Sequence, residues 1–207
     1  MFLRTTVIDA EPARLDLGIA FVRDRVQPLV KAQDGSLGLT FAVHRPTGRT
    51  VISTLWRTQA TVEASRRLLA SVKEEAAQVM EGAATPAEEW EVAELYRQQP
   101  LQPGCATRTT RLTFDPGDGE TLVETFRTTA VPSLAVLDGF TNTALVIDLE
   151  AGTGLTLVTF TSRELLEASR RPGAEIRQMT LDKARARAVE VLEAELAMSD
   201  LHLPDQA

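Results

Sequence analysis

The sequence predicts an α+β chain built from two tandem copies of one βαββαβ unit, and three observations predict it. Two motifs recur at a single offset: Arg4-Thr5-Thr6 returns as Arg108-Thr109-Thr110, and Glu63-Ala64-Ser65-Arg66-Arg67 returns as Glu167-Ala168-Ser169-Arg170-Arg171, each 104 residues on. Laid over 108–171 without a gap, residues 4–67 match in 14 of 64 columns, where unrelated sequence of this composition gives about 4 or 5. Finally, the matched columns include chain punctuation. Pro12 and Pro116 stand where a helix would start, Asp34-Gly35 and Asp138-Gly139 where it would stop, and Gly48 and Gly152 where a hairpin would turn.

Each copy reads in the same order. In the first, Leu3 to Asp9 is strand-like, and Leu15, Ile19, Val22, Val26, Leu29 and Val30 then recur at helical spacing, with Pro28 kinking the last turn. Gly38 to His44 and Thr50 to Thr58 are β-rich runs joined by a hairpin loop at residues 45–49. Thr58 can cap a second helix with the stripe Val62, Leu69, Val72, Ala76 and Val79, and Ala87 to Tyr96 closes the unit as a strand. The second copy follows with strands at 107–114, 143–150, 155–162 and 188–197 and helices near 120–137 and from Arg163, the last interrupted by Pro172-Gly173. The expected boundaries are a first unit at 1–96, a linker at 97–106 containing Pro100, Pro103 and Gly104, a second unit at 107–198 and a loose tail at 199–207.

The order βαββαβ is the ferredoxin-like arrangement, in which two helices cover one face of a four-stranded antiparallel sheet. Runs such as Leu39-Thr40-Phe41-Ala42-Val43 are apolar on both faces, so the open face also needs cover. Two copies supply it if their antiparallel sheets pack face to face.

Composition narrows the function classes. A formal net charge of −7 lacks the basic footprint of a nucleic-acid binder, and no apolar run approaches a transmembrane length, so neither nucleic acid nor a membrane is an expected partner. Cys105 is the sole cysteine, which removes intrachain disulfides and Cys-based metal clusters; its Pro/Gly-rich surroundings suggest an exposed or half-exposed thiol. The N-terminal residues enter a strand without signal-peptide regions, and a cytoplasmic protein is the expectation.

On Val51-Ile52-Ser53-Thr54-Leu55-Trp56-Arg57-Thr58 followed by a helix with Glu63-Ala64-Ser65, echoed by Leu157 to Ser162 with Glu167-Ala168-Ser169, the sequence resembles the dimeric α+β barrel superfamily, in its antibiotic-biosynthesis-monooxygenase-like and stress-responsive branches. The resemblance covers most of residues 3–198. It implies an intrachain dimeric α+β barrel, a tandem fused pair where members normally pair two chains. It also implies a ligand pocket between sheet and helices, lined by an aromatic residue at the position of Trp56. The haem-degrading branch places a haem-ligating His in the second helix; residues 65–72 contain none, so haem is disfavoured and no cofactor is expected.

The candidate ligand-pocket residues are Phe41, Trp56, Ser65 and Arg66. Trp56 either packs the second helix on the sheet or lines the pocket, and its counterpart Phe160 lacks the indole N–H. Glu63, Arg66 and Arg67 share one helix face, as do Glu167, Arg170 and Arg171 in the repeat, either as solvated ion pairs or with one Arg turned toward an anionic ligand. Ser65 has no visible base, and His44 and His202 show no metal-ligand spacing, so no metal site and no catalytic set is assigned. His44 reads as a solvated strand end. Two functions stay open: a small-molecule-binding α+β barrel protein acting as a cofactor-independent monooxygenase-like enzyme on a small apolar or aromatic substrate, or a non-catalytic ligand-binding or structural barrel. Replacement of Trp56 by Phe160 and of His44 by Asp148, together with the Pro172-Gly173 break, favours the first half as the ligand-holding one. With its sheet faces satisfied internally, the chain is expected as a monomeric pseudo-dimer or at most a weak homodimer.

Overall fold

The structure is a computed structural model and describes residues 1–203. Two compact units emerge, one made of residues 1–89 with the segment from Glu195, the other of Trp90–Ala194. Among the described residues, no helix is long and apolar enough to cross a membrane.

In the first unit, strand β1 (Phe2–Asp9) leads through a 3-10 turn at Pro12–Arg14 into helix α1 (Leu15–Phe21), a π-helical turn (Val22–Val26) and α2 (Gln27–Lys31). Pro28 has no N–H, and its ring crowds the carbonyl four residues back; the chain widens into the π turn just before it. Strands β2 (Ser36–His44) and β3 (Arg49–Trp56) form the hairpin, with Phe41 opposite Ile52 and β1 on the far side of β3. Gly48 takes φ +76° at the turn, where a Cβ would be strained. Thr58 caps α3 (Gln59–Val79) in a reciprocal capping box with Thr61. The short β4 (Ala83–Ala84) then returns to β1.

The second unit repeats this: β6 (Ala106–Thr113), α4 (Gly119–Thr125), a π turn (Phe126–Ala130) before Pro132, α5 (Val131–Ala135), β7 (Phe140–Asp148) and β8 (Thr153–Phe160). Its second helix is divided into α6 (Arg163–Ala168) and α7 (Arg170–Ala184). The break falls at Ser169, ahead of the expected Pro172-Gly173; Pro172 sits in the first turn of α7, where its missing N–H costs no helical bond.

The closing strands β5 (Glu88–Arg97) and β9 (Arg187–Leu201) are long enough to serve twice. β5 starts beside β1 and continues on β7, with Glu91 opposite Ile147; β9 starts beside β6 and ends on β2, with Glu195 opposite Val43. The limits of the compact units therefore fall inside these strands rather than in residues 97–106. Ser199–Leu201, expected as tail, are strand paired with residues 38–40, because the edge of β2 would otherwise leave backbone groups unpaired. Residues 204–207 of that expected tail lie outside the described residues. Cys105 is 3% exposed, a correction to the expected accessible thiol: it precedes β6 directly and its N–H donates to the Gln102 carbonyl.

Each unit buries its own core between helices and sheet. Ile8, Phe41, Trp56, Val62 and Ala76 belong to the first core, and Leu112, Phe126, Phe140, Phe160 and Leu181 to the second. Ala197 and Met198 pack on the first core and Ala93 and Tyr96 on the second, so each core takes residues from the closing strand of the other repeat.

Candidate functional site: one cavity per unit, unequal in size

Alternation along β1 and β3 sends Arg4, Thr6, Ile52 and Thr54 to one face of the sheet, where they meet Val26, Leu69, Val72 and Lys73 around a cavity of about 380 Å³ of empty space counted out to its mouth. Shifting these eight positions by 104 gives Arg108, Thr110, Thr156, Val158, Ala130, Gly173, Ile176 and Arg177, and all of them line a second cavity, of about 520 Å³, in the second unit. The two cavities thus occupy the same place in the repeat.

Their walls differ in ways that explain their sizes. Leu69 projects into the first cavity where Gly173 leaves the second open, and Val26 is replaced by the smaller Ala130. Leu122, Phe126 and Leu134 extend the second cavity as an apolar pocket, with Thr180 adding a hydroxyl that is committed to the Ile176 carbonyl.

Beside each cavity lies an ion-pair triad that unites the two sequence repeats. In the first unit the Arg4 Nη1 donates to Glu89 Oε1 at 3.0 Å, and the Arg66 Nε and Nη2 donate to the same carboxylate at 2.9 and 2.6 Å. In the second, Arg108 donates to Glu193 Oε1 from Nε and Nη2 at 2.9 and 2.7 Å, and Arg170 grips Glu193 Oε2 from Nη2 at 2.7 Å. Arg108 reaches further: its Nη2 donates to the Leu166 carbonyl at 2.8 Å and its Nη1 to Ser169 Oγ at 3.2 Å, at the break between α6 and α7. A Cβ at residue 173 would lie 2.8 Å from that Nη1, so the glycine makes room for the guanidinium as well as for the cavity.

The electrostatics follow from this geometry. Hydrogen bonds from Arg66, against the opposing effect of burial, hold the Glu89 carboxyl below the usual carboxylate range. Burial pushes the Glu193 carboxyl up, but the bonds from Arg170 and Arg108 outweigh it and the net direction is also down. Arg4 is disfavoured as a cation mainly by burial, with Glu89 compensating.

The sequence-predicted residues occupy other places. Phe41 and Trp56 are fully buried in the first core, with the Trp56 indole N–H donating to Thr54 Oγ1 at 3.0 Å; neither lines the cavity of that unit. Ser65 is buried and donates to the Val62 carbonyl, as Ser169 does to Leu166. Arg66 lies across from its helix on Glu89 rather than on Glu63. His44 is half-exposed and its ring bonds Thr47 Oγ1 at 2.7 Å. Among the described residues, no group of three or more His, Cys, Asp or Glu side chains is placed to hold a metal ion. What sequence reasoning missed was the pairing of Glu89 and Glu193 with both repeated motifs. The signal was available, since the two glutamates are themselves 104 residues apart.

Comparison with solved structures places the fold. An anthrone oxidase-like protein superposes with TM-score 0.68 at 16% identity, covering 100% of this chain and 95% of its own. A monooxygenase-like protein from Listeria innocua superposes with TM-score 0.54 at 8% identity, covering 99% of this chain and 96% of its own. At these identities the likeness is one of fold, and the fold is the α+β barrel of monooxygenase-like proteins. No family model matches the sequence. The uncharacterized protein Rv2558 of Mycobacterium tuberculosis (strain H37Rv) is 33% identical over 206 residues, 99% of this chain and 87% of the relative. The chain belongs to the family of that mycobacterial protein.

Proposed function

We propose that the protein is a small-molecule-binding α+β barrel protein, a fused tandem pair of ferredoxin-like units, that holds a largely apolar ligand in the cavity of the second unit. The observation that carries the site is Gly173: at the repeat position where Leu69 narrows the first cavity, the helix bears no side chain, which admits the Arg108 guanidinium and leaves the second cavity wider. The cleft is walled by Leu122, Phe126 and Leu134, an apolar concavity of the kind that takes small molecules, and it is the best-founded ligand site. The tandem reading rests on the eight matched cavity positions and the two matched triads.

Methyl-detected NMR with a panel of aromatic and aliphatic small molecules tests the site. Shifts should concentrate at Ile176, Leu134 and Leu122 and spare Leu69 and Val72. Shifts confined to the first unit, or none with any probe at millimolar concentration, would remove the proposal.

A second reading, oxygen-dependent oxidation of an aromatic substrate without a cofactor, is favoured by the likeness to an anthrone oxidase-like protein. The cavity wall offers hydroxyls and guanidinium groups but no carboxylate or imidazole to serve as a base, which is why binding is preferred. An oxygen electrode with an anthrone decides between them: consumption above the uncatalysed rate, lost on Ala130→Phe, would establish catalysis.

A further inference from the structure

We infer that the second cavity selects ligands carrying a carboxylate on an apolar body, and that Arg177 is the residue that receives the carboxylate. This inference rests on that cavity being the ligand site. Arg177 projects from α7 into the cavity wall, half-buried, and among the described residues it makes no hydrogen bond and no salt bridge. A guanidinium has five donors in a planar fork suited to a carboxylate, and no acceptor among the described residues engages those of Arg177.

Local charge points the same way. Arg108, Arg170 and Arg177 surround one carboxylate, Glu193, whose two oxygens are already taken by Arg108 and Arg170. Glu167 lies 3.6 Å from Arg170 and is also held by Arg163, so it does not serve Arg177. Burial first, and then the charge of Arg108, work against the Arg177 cation, with Glu193 only partly offsetting them. An incoming carboxylate would relieve that imbalance.

The first unit shows the alternative that the second has lost. Lys73, at the position matched by Arg177, lies 3.1 Å from Glu74. In the second unit the position of Glu74 is occupied by Gln178, which is neutral and donates to Asp182 at 2.7 Å. The first cavity is therefore narrowed by Leu69 and its cation is paired, while the second is opened by Gly173 and its cation is left for a ligand. The walls formed by Leu122, Phe126, Leu134 and Ile176 supply the apolar contact for the rest of the molecule.

The test is calorimetric, with three apolar acids, 2-naphthoate, cinnamate and octanoate, each paired with its neutral amide. At least one acid should bind about tenfold or more tighter than its amide, the scale of charge-assisted hydrogen bonds. Arg177→Gln should weaken the acid about tenfold and bring acid and amide to similar affinity. Gln178→Glu, an exposed change that restores the pairing of the first unit, should weaken acid binding several-fold and spare the amide. Equal affinity of acid and amide in the native protein, or a preference that survives Arg177→Gln, overturns the carboxylate inference but leaves the cavity as a ligand site. Failure of every acid and amide to bind overturns the ligand site itself.

Discussion

Gly173→Ala is the most informative single substitution, because helix propensity and the structure predict opposite signs. In the interior of a helix, Gly→Ala ordinarily stabilises by about 0.5–1 kcal/mol. Here the new Cβ would lie 2.8 Å from Arg108 Nη1, a contact that forces the guanidinium to move. That guanidinium is anchored by Glu193, the Leu166 carbonyl and Ser169 Oγ, and losing one charge-assisted bond costs about 1.5–3 kcal/mol. The balance is a net destabilisation of about 1–2 kcal/mol, which for a chain of this size lowers Tm by about 2–8 °C. Thermal unfolding followed by circular dichroism reads it. The decisive measurement is the same substitution in an Arg108→Met background, where the clash partner is gone and Gly173→Ala should become stabilising. An increase in Tm in the native background, or an equal decrease in both, would refute the account of why residue 173 is glycine.

Four further outcomes follow from the same geometry. Glu193→Gln removes the counter-charge of Arg108, which is 5% exposed; breaking a largely buried pair costs several kcal/mol, and with Glu193 partly in solvent the expected loss is about 1–3 kcal/mol by urea unfolding. Both Glu89 and Glu193 have carboxyl groups held below the usual range, so their contribution is present above the unfolded value near 4.3 and is lost as pH falls through the folded values; stability should drop below about pH 4, and a Glu89→Gln/Glu193→Gln double variant should flatten that drop. Trp56→Phe removes the bond to Thr54 and should cost about 0.5–1.5 kcal/mol without altering ligand affinity, whereas a changed affinity would return Trp56 to the site. Cys105, buried next to β6, should react with a thiol reagent in the native state far more slowly than in urea, and fast native labelling would contradict its burial.

The fold was largely legible because the repeat carries its punctuation with it. Pro12, Gly48 and Thr58 each act locally, as a helix start, a left-handed turn and a cap, and local chemistry is what a sequence displays. The exchange of closing strands was not legible. Nothing in the composition of residues 88–97 or 187–201 distinguishes a strand that ends with its own unit from one that continues onto β7 or β2; the decision belongs to distant backbone partners. The division of the second helix at Ser169 was missed for a related reason. Pro172 marked a disturbance but not its side, and the turn it required was fixed three residues earlier, where Arg108 takes the Leu166 carbonyl.

The cavities were less legible than the fold because the sequence reading started from the largest side chains. Trp56 and Phe41 are the conspicuous side chains, and conspicuous side chains fill space. A cavity is instead announced by what has been removed, here Leu69 giving way to Gly173 and Val26 to Ala130. The repeated motifs were also conspicuous, yet their shared role is to clamp a glutamate from the closing strand in both units.

The contrast between triads and cavities separates scaffold from function within one chain. Both copies keep the Arg–Glu–Arg clamp in the same columns, as expected if each unit needs it to fix its helix and closing strand to the sheet. The cavity columns diverge: the second unit carries Gly173, beside the Arg108 guanidinium, and Arg177, which no acceptor among the described residues bonds, where the first has Leu69 and a paired Lys73. Divergence in the cavity columns with the clamp kept in both units is what the proposed binding site under α7 would produce.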